Sequence, residues 1–300
     1  MVITHERCPA CAGKSWTQVA GSSPEALKRY REYSNDKYGG YIDEWVDAIR
    51  LCIYRCGHCG HHWYPDVPSA EELGSMYANA RNLRTSEKRR EPPAHMVERL
   101  RFLKRMAPGA RFLDYGSGAG LWSLAAVQAG FEVTSFEPHA TRVKVADAAL
   151  EMVTERGDLA GRTFHLIMLE QVLEHVPDPY TVLRDIAALC DSRTVLVLRV
   201  PNLERECRKG SCWKVWPYDG VRAHVMAPFE HLHGFTRRSL VALSQRAGYS
   251  LLPAHELAFK HIVHVLRCLA GRFAPWLAPT EVYLRLGGND VRTARNSEQG

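Results

Sequence analysis

The chain has 300 residues, 46% hydrophobic and 24% charged, with 39 basic against 33 acidic side chains and a formal charge of +6. Such usage belongs to a globular chain with a core, so disordered, collagen-like and coiled-coil classes are excluded, and no apolar run reaches the ~18 residues that span a bilayer. The mild basic excess permits an anionic partner without demanding one; the start, Met1 to Cys8, has no apolar signal core, so a cytoplasmic location is expected.

Five of the nine cysteines fall in the first 59 residues. Cys8-Pro-Ala-Cys11 and Cys56-Gly-His-Cys59 are two C-x-x-C turns with 44 residues between them. Each turn can present two thiolates to one ion, and four make a closed tetrahedral shell of the structural zinc type. Cys52, His58, His61 or His62 are alternative ligands. A structural zinc contributes about 10–16 kcal/mol, against about 5–15 for the stability of a whole domain. Residues 1–66 therefore read as a zinc-ribbon-like module that folds only with its metal.

Residues 67–106 read as linking helices. Pro92-Pro93 stops one segment, and Met96, Val97, Leu100, Leu103 and Met106 then recur at helical spacing. The basic excess over 81–105 reads as a solvated helix face.

Residues 107–255 alternate strands with helices, which predicts a mainly parallel sheet covered on both faces. Strands are expected at 111–115, 131–136, 164–169 and 194–200, and helices at 121–129 and 139–150. Asp178 caps another helix with Pro179 at its first position, and Thr236 caps one that ends at Gly248. The first strand runs into Asp114-Tyr-Gly116-Ser117-Gly118-Ala-Gly120 and then a helix. Glycines there let a ligand approach the backbone while the helix N-terminus faces its anionic group. Leu121 occupies the third-glycine position of a dinucleotide site, and Asp114 is awkward beside a pyrophosphate. A carboxylate-, amine- and sulfonium-bearing ligand, S-adenosylmethionine, suits both. Glu137, ending the second strand, is placed to accept bonds from two ribose hydroxyls. Asp158 and Leu159 precede the strand at 164 and either meet an adenine or form an ordinary loop.

These blocks, together with Leu169-Glu-Gln-Val-Leu-Glu-His-Val-Pro-Asp-Pro179, resemble class I S-adenosylmethionine-dependent methyltransferases over residues 94–255. The resemblance implies a Rossmann-like α/β sheet of seven strands with the last antiparallel. It also implies that Asp114, Gly116, Gly118, Glu137, Glu170 and Gln171 line the cofactor. The segment from Trp63 to Tyr77 is similar to a subset with an N-terminal zinc module that acts in sugar, polysaccharide or natural-product pathways. Deoxysugar C-methyltransferases among them are longer and carry a further C-terminal domain, which places C-methylation second to O-methylation here. Those enzymes have a Glu-His pair like Glu230-His231, which implies an acid/base pair; the other reading is that these residues orient the Thr236 helix. Over 228–236 an extended chain would put His231 and His233 on one face and Glu230 on the other. His175, beside the cofactor segment, reads as structural or as a base, and His224 is a weaker candidate.

An insertion at 201–233 carries Trp213, Trp216 and Tyr218, which either stack on an acceptor or pack as a lid. Cys207 and Cys212 within it lack the knuckle spacing, so no second metal is assigned. Residues 256–300 are expected to hold a helix near 256–270 for lid or dimer contacts, room for a last strand, and a disordered tail. The expected activity is O-methylation of a small sugar-containing or natural-product acceptor with a histidine base. The alternatives are C-methylation of a keto-sugar, RNA methylation with the zinc module on RNA, and a non-catalytic binding protein. The modest charge argues against nucleic acid, and a homo-oligomer is compatible with the sequence.

Overall fold

The computed structural model describes residues 2–21, 23–38, 49–79, 91–139, 142, 147–207, 212–218, 221, 223–253 and 280–287. The expected helix at 256–270 and the tail lie outside them, as does the 81–90 part of the basic stretch over 81–105. Among the described residues, no helix is long and apolar enough to cross a membrane.

The N-terminal part contributes β1 (Val2–Thr4), β2 (Trp16–Gly21), α1 (Pro24–Tyr38), β3 (Cys52–Cys56), β4 (His62–Trp63), β5 (Asp66–Pro68) and α2 (Ala70–Asn79). Next come α3 (Ala94–Met106), β6 (Arg111–Tyr115), α4 (Leu121–Gln128), β7 (Glu132–Phe136), β8 (Leu150–Val153), β9 (Phe164–Glu170), α5 (Pro179–Ala187) and β10 (Cys190–Val200). The chain continues through α6 (Leu203–Cys207), β11 (His233–Gly234), α7 (Arg237–Arg246), β12 (Tyr249–Leu251) and β13 (Thr280–Leu286).

Seven strands form one sheet in the order β12-β13-β10-β9-β6-β7-β8. β13 runs antiparallel to both neighbours, while β10, β9, β6, β7 and β8 are parallel. This is the expected Rossmann-like arrangement with an antiparallel last strand. Its cause is the side-chain alternation of doubly buried strands. Phe112, Leu166, Met168, Val195 and Val197 pack on one face with Val97, Leu100 and Leu103 of α3 and Ala125 of α4. Leu113, Ile167, Leu169, Leu196 and Leu198 pack on the other with Leu183, Ile186, Leu240 and Leu243. Cys8, Cys56, Cys59 and Trp63 join that second face, so the cysteine-bearing part shares its core with the sheet.

Capping follows the sequence signals. The Asp178 carboxylate accepts the Tyr180 N–H at 2.9 Å ahead of Pro179. Thr236 and Ser239 make a reciprocal capping box at α7. One expectation is corrected: the helix expected over 139–150 does not reach its end, because Leu150 starts β8, paired with β7. Residues 140–141 and 143–146 lie outside the described residues. β8 is an edge strand whose Glu151 and Met152 face solvent, so it lacks the apolar alternation that marks its neighbours.

The insertion does not stay with the sheet. Its last residues, β11, pair with β4 in a second sheet of order β11-β4-β3-β2. Its aromatic Trp216 is buried among Tyr64, Met226 and Phe229 and donates its indole N–H to the Tyr64 hydroxyl at 2.9 Å. Trp216 is therefore packed inside the protein rather than presented for stacking.

Candidate active site and cysteine cluster

The two knuckles are built alike. The Ala12 N–H donates to the Cys8 carbonyl at 2.8 Å and the Gly60 N–H to the Cys56 carbonyl at 3.0 Å. Each turn leaves through a left-handed residue, Ala12 at φ 59 and Gly60 at φ 73. This folding brings Cys8, Cys11, Cys56 and Cys59 together, with all four sulfurs within 4.8 Å of one another. The Cys8–Cys59 and Cys11–Cys56 pairs are each 3.6 Å apart. A tetrahedral ion with sulfur ligands at about 2.3 Å spaces them by about 3.8 Å. The donor set therefore fits a closed four-thiolate metal site. The Cys8 S–H, against the effect of burial and with help from the His61 backbone N–H, favours the Cys59 thiolate, holding it at about 6. Of the alternative ligands, His61 instead contacts His233, and His62 stacks on Trp213.

At the C-terminal ends of the parallel strands, β6 delivers Asp114 to the turn. Asp114 is 2% exposed, and the Ser123 hydroxyl donates to its carboxyl at 2.6 Å. Burial pushes its pKa to about 7, with the Ser123 bonds opposing the rise. Gly116, Gly118 and Gly120 all have positive φ. A side chain at Gly116 would also meet Val172 at 2.7 Å, so the turn closes against the segment after β9. Glu137 braces the same turn: its carboxylate accepts the Gly118 N–H at 2.8 Å and the His139 N–H at 3.1 Å. Ionised carboxylates have about four acceptor positions, so two bonds leave capacity for ribose hydroxyls.

β9 ends at Glu170, which accepts from Arg199 at 2.8 Å, and burial raises its pKa. Gln171 is exposed at φ 55, with its N–H held by the Arg199 carbonyl at 2.8 Å. Such strain collects at functional sites. Leu159 is buried, whereas Asp158 is exposed in a short 3-10 turn. Two polar atoms at this end, Ser117 Oγ and Glu170 Oε2, are buried without a hydrogen-bond partner among the described residues. A ligand with both an amino-acid end and hydroxyls suits that surplus.

The histidines meet beyond Gln171. The chain does not stay extended through Glu230: a turn puts the Glu230 and His231 N–H groups on the Ala227 carbonyl, each at 3.2 Å. His231 and His233 consequently part. His233 is buried against His61 and the Pro177 carbonyl. His231 lies edge-on to His175 with ring centroids 4.6 Å apart. Nδ1 of His175 contacts the Glu230 carbonyl at 2.5 Å, and Nδ1 of His231 contacts the Val225 carbonyl at 2.6 Å. A carbonyl only accepts, so in the neutral imidazoles each Nδ1 carries the proton and each Nε2 is the acceptor nitrogen.

Sequence reasoning missed Glu174, although it stands beside His175 in the quoted segment. It is 1% exposed, 4.0 Å from His175 Nε2, and burial raises its carboxyl to about 8. Burial likewise raises Glu230 to about 7. Ligand atoms of Glu174, His175 and His231 fall within 4.8 Å of one another, near enough to share a proton or a small cation.

A family described as a methyltransferase domain matches residues 86–254, more than half of the chain. The chain belongs to that family. By family and fold it is a class I S-adenosylmethionine-dependent methyltransferase. A ubiquinone biosynthesis O-methyltransferase of Xanthomonas campestris pv. campestris is 35% identical over 106 residues, 32% of this chain and 44% of that protein. Its counterpart in Bordetella avium is 32% identical over 117 residues, 32% of this chain and 47% of that protein. The chain thus spans less than half the length of these two curated relatives. Among solved structures, the 1,6-didemethyltoxoflavin-N1-methyltransferase of Burkholderia thailandensis is 19% identical, covering 64% of this chain and 86% of that chain at TM-score 0.41. The magnesium protoporphyrin IX methyltransferase of Synechocystis PCC 6803 is also 19% identical, covering 53% and 75% at TM-score 0.40. Both of those structures hold S-adenosylhomocysteine.

The cysteine part of the methyltransferase supports its histidine end directly. β11 is hydrogen-bonded to β4, the Thr236 hydroxyl donates to the Cys59 carbonyl at 3.3 Å, and Arg246 donates to the Pro9 carbonyl at 2.8 Å. The Leu232 and His233 N–H groups both reach the Glu174 carbonyl, at 2.7 and 3.2 Å.

Proposed function

We propose that this methyltransferase transfers a methyl group from S-adenosylmethionine to a hydroxyl of a small molecule, with His175 or His231 as the general base. The observation that carries the reading is the pair of Nε2 acceptors, each fixed by an Nδ1 bond to a backbone carbonyl. The matched relatives bear O-methyltransferase names, which agrees with a hydroxyl acceptor. A sugar-containing or natural-product acceptor remains the class we favour, and a carbon beside a ketone comes second. The four-thiolate site is assigned to a structural zinc.

When bound, S-adenosylmethionine supplies an electrophilic methyl on a sulfonium, displaced in line. Asp114, the glycine turn and Ser117 would hold its amino-acid end, and Glu137 its ribose. A cationic amine near Asp114 would favour the ionised carboxylate that burial alone disfavours. Histidine Nε2 would take the acceptor proton, and an imidazolium formed at His175 would favour ionisation of the adjacent Glu174 carboxyl, which burial alone disfavours. The remaining work is orientation and exclusion of water.

Labelled-methyl transfer to candidate hydroxyl compounds tests the reading, with cofactor affinity followed by calorimetry. His175→Ala and His231→Ala are made singly and together. Removing the base should lower turnover by about 10²- to 10⁴-fold while cofactor affinity stays unchanged. Full turnover in the double variant would remove the histidines from the mechanism.

A further inference from the structure

The insertion carries a second cluster, separate from the glycine turn and from the His175–His231 pair. Cys207 closes α6 and Cys212 opens a short 3-10 turn. Their sulfurs are 3.4 Å apart, and both are free thiols with partial exposure. His224 approaches from the other side of the insertion, with Nε2 3.2 Å from the Cys212 sulfur. Its Nδ1 accepts the Met226 N–H at 3.0 Å.

That last bond decides the chemistry. A neutral imidazole has one proton; with Nδ1 accepting, the proton is on Nε2 and points at Cys212. Nε2 then has no lone pair for a metal ion, so the cluster lacks the nitrogen ligand that a mixed cysteine–histidine zinc site needs. The same N–H stabilises a thiolate. We propose that Cys207 and Cys212 form a redox-active dithiol that closes to an intramolecular disulfide by exchange with a small disulfide of the glutathione type.

The electrostatics agree. The Cys207 S–H and then the His224 donor hold Cys212 below the ordinary thiol range, at about 5, while Cys207 is pushed up. Glu206 opposes ionisation of both, and Arg55 favours it at Cys207. Thiol–disulfide exchange needs such an attacking thiolate with a second thiol to resolve the intermediate. Cys207 lines a cavity of about 550 Å³ together with Arg55, Glu204, Trp213 and Arg238, and the partly exposed Cys212 sulfur lies beside it, 3.4 Å from that of Cys207. Its two arginines suit the carboxylates of an oxidised glutathione, and Glu204 suits an ammonium.

The steps balance. Cys212 thiolate attacks one sulfur of the incoming disulfide; a mixed disulfide forms and one thiolate leaves. Cys207 then gives up its proton and attacks the Cys212 sulfur, forming the Cys207–Cys212 bond and expelling the second thiolate. Two protein cysteines lose two electrons, and the small disulfide gains them as two thiols.

The test equilibrates the full, zinc-loaded chain in glutathione buffers of increasing oxidised fraction, then acid-quenches, alkylates and maps peptides by mass. A linked Cys207–Cys212 peptide should accumulate while Cys8, Cys11, Cys56 and Cys59 remain one metal-bound set. In Cys207→Ser, Cys212 should stop as a mixed disulfide with glutathione. In His224→Ala, the pH at which alkylation of Cys212 reaches half its limiting rate should rise by about one to two pH units, since a hydrogen bond to a charged group contributes roughly 1.5–3 kcal/mol. The proposal is overturned if no linked peptide forms at any poise, or if wild-type Cys212 alkylates like an ordinary thiol. It is also overturned by two zinc ions per chain, one of them lost in Cys207→Ser.

Discussion

The proposed cofactor end and the histidine end of the candidate site are assembled in different ways. At the cofactor end, Asp114, the three glycines and Glu137 come from two adjacent parallel strands and the turn between them, and backbone bonds within that unit hold them. At the histidine end, His175 and Glu230 touch although they are 55 residues apart in sequence, and β4 of the cysteine part supplies the strand that anchors the later segment. One end is local and self-supporting. The other depends on a separate piece of chain staying folded.

Removing the metal should separate the two ends most sharply. Cys56→Ser, or chelation of the wild type, withdraws a contribution of about 10–16 kcal/mol if the site holds structural zinc. We expect loss of the cooperative melt around β2–β4 and of turnover, measured by circular dichroism and metal analysis. A metal-free chain with unchanged melting would break the comparison at its root.

Glu137→Ala is the matching test at the other end. Losing hydrogen bonds to a charged group costs about 1.5–3 kcal/mol, so cofactor affinity should fall by about tenfold to a hundredfold. The histidine ring contact should persist, as judged by the imidazole resonances of His175 and His231. Unchanged affinity would take the ribose away from Glu137.

Acid–base behaviour sharpens the contrast with a smaller effect. The Glu174 carboxyl titrates at about 8 in the fold against an ordinary 4.5. Between those values the native state binds more protons than the unfolded chain, so this group makes stability fall as pH rises from about 4.5 to 8. Glu174→Gln should flatten that slope in melts of the metal-loaded protein. An unchanged slope would show that the carboxyl is not a buried titrating group.

The smallest effect belongs to the junction between the ends. Thr236 caps α7 and also reaches Cys59. Thr236→Ala should cost about 0.5–2 kcal/mol of stability, read as a lower denaturant midpoint with unchanged cofactor affinity.

The same contrast explains what could be read from the residues alone. The glycine turn, Glu137, the Asp178 and Thr236 caps and the alternation in β6, β9 and β10 are short-range patterns fixed by backbone chemistry. The two C-x-x-C turns are also local, though their pairing is not. β8 was missed because an edge strand needs no apolar alternation. The parting of His231 from His233 was missed because a turn at Ala227, with Phe229 at φ 65, breaks the strand-like spacing. Glu174 stood in plain view beside His175; its burial follows only from the return of Leu232 and His233 onto its carbonyl.

The shared core also bears on engineering. Cys59 and Trp63 lie in the same apolar body as Leu169 and Leu196, so the first sixty-odd residues are not a detachable appendage. Trimming them would bare one wall of the catalytic fold, and transplanting them onto another sheet would require that host to present a matching wall and a loop equivalent to 230–236.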